Sequence, residues 1–468
     1  MTSHPSPLPS PLSPLTPGEA TICALATAPG GALGIIRVSG AGAFEAVSAL
    51  SSLSCDAAKA NTVHLAKLHA EGQLLDEALV TVFRAPHSYT GEDSVEISCH
   101  GSPYILNKVL ELLIQHGCRM ARPGEFTMRA YLNGKLDLSQ AEAVADLIAS
   151  NNKATHDIAL SQLRGGISGK LSQLRAQLLK LTSLLELELD FSDHEELEFA
   201  DRSELLGLAQ TIDDRITRLA KSFETGQALK QGIPVAIVGK TNVGKSTLLN
   251  ALLKDERAIV SDIHGTTRDT IEDTIDIHGV TFRFIDTAGI RQTDDKVEQI
   301  GIQRTYAAIG KARVVVWLFD EPPTEAEAAD IAARCEGRAL IPIWNKADLS
   351  PQPSPLTPHL SALTVIPLSA KHGTNLDVLE AAIYKAAGLP TLSETDVIVT
   401  SSRHYESLVH AHDNLSRVLS GLEQQLSGDL IAEDLRLVLS DLAEITGEGQ
   451  ITPQETLNTI FSHFCIGK

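Results

Sequence analysis

The sequence has no two cysteines at CxxC spacing. Its six, Cys23, Cys55, Cys99, Cys118, Cys335 and Cys465, lie scattered over 468 residues. Neither a zinc site nor a disulfide framework is expected, and a reducing, cytoplasmic setting fits. Also missing is an apolar run of the roughly 18 residues that a membrane-spanning helix needs. No basic amphipathic helix is present to act as an anchor. Positive charge is scarce: 39 Lys and Arg stand against 59 Asp and Glu, a net charge of −20. Such a chain repels phosphate backbones, so tight unaided binding of nucleic acid over a broad surface is not expected, while a local basic patch or a basic partner would permit it. The opening "MTSHPSPLPSPLSPLTPG" has no basic start and no apolar core. It is neither a secretory signal nor an Arg-rich transit peptide, and residues 1–20 read as a disordered Pro/Ser-rich lead.

What remains is an ordinary globular composition, 43% apolar and 21% charged, long enough for about three domains. Over residues 21–135, "TICALAT", "GIIRVSG", "EALVTVFRAP" and "DSVEISCHG" read as strands. "YILNKVLELLIQHG" reads as a helix stopped at Gly117, so this region is α+β. Over 136–230 the period turns helical. Leu171, Leu174, Leu178, Leu181 and Leu185 step by three and four, as do Leu205, Leu208, Ile212, Ile216, Leu219 and Phe223. The acidic "DFSDHEELEF" between the two stripes reads as a solvated loop, with a cation site as the other reading. Over 231–392 strands and helices alternate as in a doubly wound α/β domain. Residues 393–468 are helical again. The simplest architecture inserts the α/β domain into a helical bundle, with two separate helical units as the alternative.

The α/β region carries the chemistry. "GKTNVGKST" follows an apolar strand and opens an apolar helix, the context a phosphate-binding loop requires. Gly239 and Gly244 let backbone N–H groups close on phosphates, Lys245 reaches the β and γ oxygens, and Ser246 holds Mg²⁺. Thr267 in "GTTRD", Asp286 and Gly289 in "DTAG", Asn345, Lys346 and Asp348 in "NKAD", and Ser369, Ala370 and Lys371 follow in order. A carboxylate at Asp348 accepts the two donors on the guanine edge, which adenine does not offer. Together these define a guanine-nucleotide hydrolase. Ile290 stands where Ras-like proteins place a water-orienting Gln, so hydrolysis needs another route. One is a monovalent cation held by Asn242 and the oxygens of "SDIHGTT". A plain loop hydrogen bond is the other reading of Asn242.

Several stretches resemble the MnmE/TrmE family of tRNA-modifying GTPases. They include "GIIRVSG", "YTGED", "ARPGEFTMRAYLNGKLDLSQAEAVADLI", "SDIHGTTRD", "DTAGIR", "EITGE" and the final "FCIGK". The resemblance spans nearly the whole chain from Thr21. It implies an N-terminal α+β folate-binding dimerisation domain, a split helical bundle and an inserted Ras-like P-loop G domain. It implies GTP contacts from Asn242, Val243, Gly244, Lys245, Ser246 and Thr247, and from Ser261, Asp262, Ile263, His264, Gly265, Thr266 and Thr267. Further contacts fall on Asp286, Thr287, Ala288, Gly289, Asn345, Lys346, Asp348, Ser369, Ala370 and Lys371. The implied K⁺ ligands are Asn242, Ser261, Ile263 and Thr266, and the Mg²⁺ ligands Ser246 and Thr267. The family's water-orienting carboxylate falls on Glu298.

A tetrahydrofolate derivative, 5-formyl or methylene, would meet Arg37, Glu96, Lys135 and Lys468. The resemblance also implies a homodimer and a complex with the flavoprotein MnmG, acting at carbon 5 of the wobble uridine of certain tRNAs. Such a partner answers the charge problem. Cys465 is then a candidate functional thiol, with simple packing as its other reading. Three departures stand out: "TAPGGALG" lacks the family's arginine, "CHGS" replaces "GHGG", and Thr241 stands where proline is common. The competing functional class is a GTP-switched assembly factor, for example of ribosomes, which has no need of a folate domain or a thiol-bearing tail.

Overall fold

The computed structural model describes residues 20–28, 30–190, 202–254, 273–285, 306–350, 363–390, 397–447, 454–462, 464 and 467. They form two compact units. One comprises residues 1–148, 162–216 and 406–468, the other residues 149–161 and 217–405.

The first unit opens on six strands: β1 Ile22–Leu25, β2 Leu33–Ser39, β3 Thr62–Ala70, β4 Gln73–Phe83, β5 Ser94–His100 and β6 Arg119–Met120. They form one sheet in the order β3-β4-β5-β2-β1-β6, antiparallel except for the β1–β6 pair. Helices Ala43–Leu50 and Pro103–Gln115 close one face. Phe44, Val47, Val109 and Leu113 pack there on Ile36, Val80 and Ile97. Gly117 ends the second helix as expected, at φ +90° with its N–H on Ile114 O. The opposite face is covered at the β1 end, where Ile22 and Ala24 meet Phe126.

Long helices complete this unit. In Gly166–Asp190 the leucine stripe from Leu171 to Leu185 is buried, and this helix packs on Gly428–Thr446. In helix Arg202–Gln231, whose residues from 217 on belong to the second unit, Leu205, Ile212 and Ile216 are buried, whereas Leu208, Leu219 and Phe223 are only half-buried. The stripe wanders because Ala209, Gly226 and Leu229 share the buried positions.

The second unit holds β7 Ile233–Val238, β8 Asp273–Ile277, β9 Val280–Phe284, β10 Val314–Phe319, β11 Ala339–Trp344 and β12 Ile366–Pro367. Their order is β12-β11-β10-β7-β9-β8, parallel apart from the antiparallel edge strand β8. Apolar runs such as "VVVWLF", buried at every position, are what a sheet covered on both faces requires. The stretch "TVIPLSA" contributes a strand of only two residues, Ile366 and Pro367. Where the chain enters and leaves this sheet, its two passes pair. Ser222 Oγ accepts from Val399 N at 3.0 Å, Gln227 Nε2 donates to Thr400 O at 2.9 Å, and Phe223 stacks on Tyr405. A Cβ on Gly226 would stand 2.1 Å from Val399 O, so only glycine allows this approach.

Candidate functional site

The phosphate-binding loop joins β7 to helix Lys245–Lys254. Two glycines shape it. Gly239 has φ +155°, and a Cβ there would lie 2.4 Å from Leu318 O. Gly244 has φ +101°, and a Cβ there would lie 2.4 Å from Asn345 Nδ2. Asn242 also takes the left-handed conformation, at φ +61°. Its side chain is exposed and makes no hydrogen bond among the described residues. Lys245 sits at the helix N-terminus. Its ammonium donates to Gly239 O at 2.6 Å and Lys240 O at 2.7 Å, and burial lowers its pKa. A cation held by carbonyls among the described residues, at the positive end of a helix, fits a phosphate.

The base-recognition motifs come to the same loop. Asn345 is buried after β11; its Nδ2 donates to Val243 O at 2.7 Å and its Oδ1 accepts from Ala370 N at 3.1 Å. One amide thus ties three motifs together. Lys346, at φ +58°, donates to Asn242 O at 3.1 Å and to Asp320 Oδ2 at 2.6 Å. Asp320 follows β10 and was not singled out in the sequence. Asp348 stays ionised readily: the Ser369 hydroxyl beside it, with weaker help from His372 and Lys371, holds its carboxyl below the usual range. Ser261, Asp262, Ile263, His264, Gly265, Thr266, Thr267, Asp286, Thr287, Ala288, Gly289 and Glu298 lie outside the described residues.

In the first unit, Arg37 on β2 faces Glu96 on β5, its register partner. Arg37 Nε and Nη2 both donate to Glu96 Oε1, at 2.9 and 2.7 Å. The guanidinium lies over the Tyr89 and Phe126 rings, at 5.5 and 5.6 Å. Its Nη1 donates to Gly467 O at 3.2 Å. The C-terminal segment is therefore docked at this pair. Gly467 has φ +95° and a Cβ there would stand 2.4 Å from Leu25 O. Phe464 packs with Phe461, Met128 and Leu138. Phe464 is thus packed, and Gly467 reaches the pair. Lys135 donates to Pro86 O at 3.0 Å. Cys465 and Lys468 lie outside the described residues. Because Glu96 receives Arg37 on one oxygen, its Oε2 is free of protein donors among the described residues and fits a ligand N–H.

Sequence reading missed the scaffold beneath this pair. Glu125 is 1% exposed and accepts from Arg119 and Arg129, and Arg129 also binds Glu92. Glu92 in turn accepts from Ser39 Oγ at 2.8 Å. The motifs "YTGED" and "ARPGEFTMR" supply this buried network. Burial alone would raise the Glu125 carboxyl, but the Arg119 donors and Arg122 N–H outweigh it and lower its pKa.

A nucleotide cradle on a parallel sheet, with Asn345 bridging loop and base pocket, defines a P-loop GTP-binding protein of the Ras-like kind. Two family models match the chain: "GTP-binding protein TrmE N-terminus" over residues 21–135 and "MnmE helical domain" over residues 138–465. Proteins described as tRNA modification GTPase MnmE are similar over nearly full length. That of Phocaeicola vulgatus is 52% identical, covering 96% of this chain and 99% of its own. That of Bacteroides fragilis is 51% identical and that of Flavobacterium johnsoniae 48%, with the same coverage of both chains. The chain belongs to the MnmE/TrmE family of tRNA modification GTPases.

Proposed function

We propose that this protein hydrolyses GTP as one component of a tRNA wobble-uridine modification system. The observation that carries the reading is the Lys245 ammonium, held by Gly239 and Lys240 carbonyls beside the Asn345 bridge. Lys245 and the N–H groups of the loop bind and orient the phosphates. Asp348 accepts from the guanine edge. Ser246 and Thr267 would hold Mg²⁺, which neutralises phosphate charge when bound. Asn242, Ser261, Ile263 and Thr266 would hold K⁺, and the exposed Asn242 amide is available for it. Glu298 would orient the attacking water. Residues 21–135 would form the folate and dimerisation domain, 231–392 the G domain, and 136–230 with 393–468 the helical domain.

A tetrahydrofolate derivative would use Glu96 Oε2 for donors of its ring and cations for its carboxylates, with Lys135 and Lys468 joining Arg37. Cys465 would enter the chemistry from the docked tail. MnmG would supply flavin chemistry and much of the tRNA grip, in the cytoplasm. The test measures phosphate release from GTP in K⁺ and in Na⁺, for the wild type and Glu298→Ala. We expect hydrolysis to depend on K⁺ and the variant to bind nucleotide normally while turning over about a hundredfold or more slower. Equal rates in both salts, or an unaffected variant, overturn the respective assignment.

A further inference from the structure

The hairpin β8–β9 has an unusual position in the chain. Strand β8 begins at Asp273, just after "GTTRD", and β9 ends at Phe284, just before "DTAG". In register, Asp273 pairs with Phe284, so both nucleotide-sensing loops leave from one end of the ribbon. The turn at its other end, His278–Gly279, has φ of +54° and +80°, the geometry of a tight two-residue hairpin. Five residues of strand separate the two ends, roughly 17 Å.

That far end is gripped by a segment from elsewhere in the chain. Gly279 O accepts from Ala154 N at 2.9 Å, at the N-terminus of helix Lys153–Leu163. Asn152 caps the same helix, its Oδ1 accepting from Thr155 N at 2.8 Å, while its Nδ2 donates to Thr281 Oγ1 at 2.8 Å. A Cβ on Gly279 would stand 2.9 Å from Lys153 Cβ, so the contact is tight. Ile158 then enters the apolar core of the second unit beside Ile275 and Ile277 of β8. Ahead of residue 217 the chain joins that unit for residues 149–161 alone; residues 1–148 and 162–216 belong to the first unit.

We infer that Asn152–Ala154 is a coupling clasp: it senses the β8–β9 hairpin and passes the nucleotide state into helices Leu138–Ala149 and Gly166–Asp190 of the first unit. A ribbon tied at one end to both phosphate-sensing loops moves as a body when they rearrange. The clasp is bonded to its other end and is continuous with the next unit's helices. By linkage, whatever orders the first unit's helices also biases the loops. The inference rests on the GTP reading above.

The test is hydrogen exchange by mass spectrometry on the full chain with Mg²⁺ and K⁺, comparing GDP with a non-hydrolysable GTP analogue. Fluorescent-nucleotide affinity is measured on the same samples. Wild type is compared with Asn152→Ala and with Thr281→Val, which keeps the β-branched shape and removes only the acceptor. In wild type we expect the analogue to change exchange in the hairpin, in 149–163 and in 138–148. In both variants the change in 138–148 falls at least about fivefold, while nucleotide affinity stays within about twofold and the hairpin still responds. A hairpin response with a silent 149–163, nucleotide bound without any response, or variants that keep the full response would each overturn the inference. Absence of guanine-nucleotide binding would instead defeat the GTP reading, and the clasp with it.

Discussion

Replacing Glu125 by Gln should destabilise one unit of this protein and leave the other untouched. Glu125 Oε2 accepts from Arg119 Nη1 at 2.8 Å and Arg122 N at 2.9 Å, and Oε1 accepts from Arg119 Nη2 and Arg129 Nη2. Both oxygens therefore face donors. A glutamine has one oxygen, so its NH₂ must confront either pair. The substitution also removes one of the two carboxylates that face Arg129, Glu92 being the other, at a side chain only 8% exposed. Removing one partner of a buried ion pair costs about 3–5 kcal/mol. At about 2–4 °C per kcal/mol for a unit of this size, the transition falls by roughly 6–20 °C. The two tryptophans make the assay selective, because Trp317 and Trp344 both lie in the second unit's sheet. Far-ultraviolet circular dichroism should show the early transition while tryptophan fluorescence keeps its wild-type midpoint. Equal shifts by both probes, or a loss below about 1 kcal/mol, would refute the reasoning. The pH dependence gives a sign. The folded carboxyl titrates below its unfolded value of about 4.3, so its contribution is complete above that pH and is lost as pH falls through the folded pKa. The gap between wild type and variant should narrow on acidification.

Three further outcomes follow from the sites. Gly244→Ala must place a Cβ 2.4 Å from Asn345 Nδ2 at φ +101°, so the Asn345–Val243 bond is lost and nucleotide affinity falls by at least about tenfold in a fluorescence titration. Asp348→Asn exchanges an acceptor for a donor at the base edge, so competition binding should show the preference moving from GTP toward XTP, whose ring carries an oxygen where guanine has an amine. Gly467→Val cannot keep φ +95° beside Leu25 O, and the tail should leave Arg37, read as faster amide exchange at Phe464 with the N-terminal sheet unchanged.

Much of the nucleotide cradle was legible because it is local. "GKTNVGKST" after an apolar strand fixes glycines, lysine and helix start within nine residues. The bridge from Asn345 to Val243 and Ala370 is consistent with what those motifs require. What stayed hidden depends on distant partners. Strand β3 went unread because Val63 and Leu65 alternate outward and are exposed, the reverse of the usual pattern. Residues 149–161 look like more of the same helical bundle, and nothing in a 3.6-residue period says which core Ile158 joins. Glu125 and Arg129 lie in a stretch quoted for family likeness, and nothing in their neighbours marks them as buried. Only the fold brings Glu92 to Arg129 across 37 residues, and Arg119, six residues before Glu125, reaches it from a strand and not from the same helix. Arg37 and Glu96 were marked by family likeness alone, and their pairing is a matter of strand register.

The packing of helix Gly166–Asp190 against Gly428–Thr446 has a bearing on how the protein is made. The leucine stripe of the first helix leaves the ribosome roughly 240 residues before its cover does. At about 5–20 residues per second that is on the order of 12–50 seconds of nakedness. During that time the whole second sheet is synthesised and free to fold. The nascent first unit must meanwhile carry a sticky, half-finished surface. A chaperone that shields emerging apolar helices has its natural client window here, and slowing elongation between these two helices would widen it.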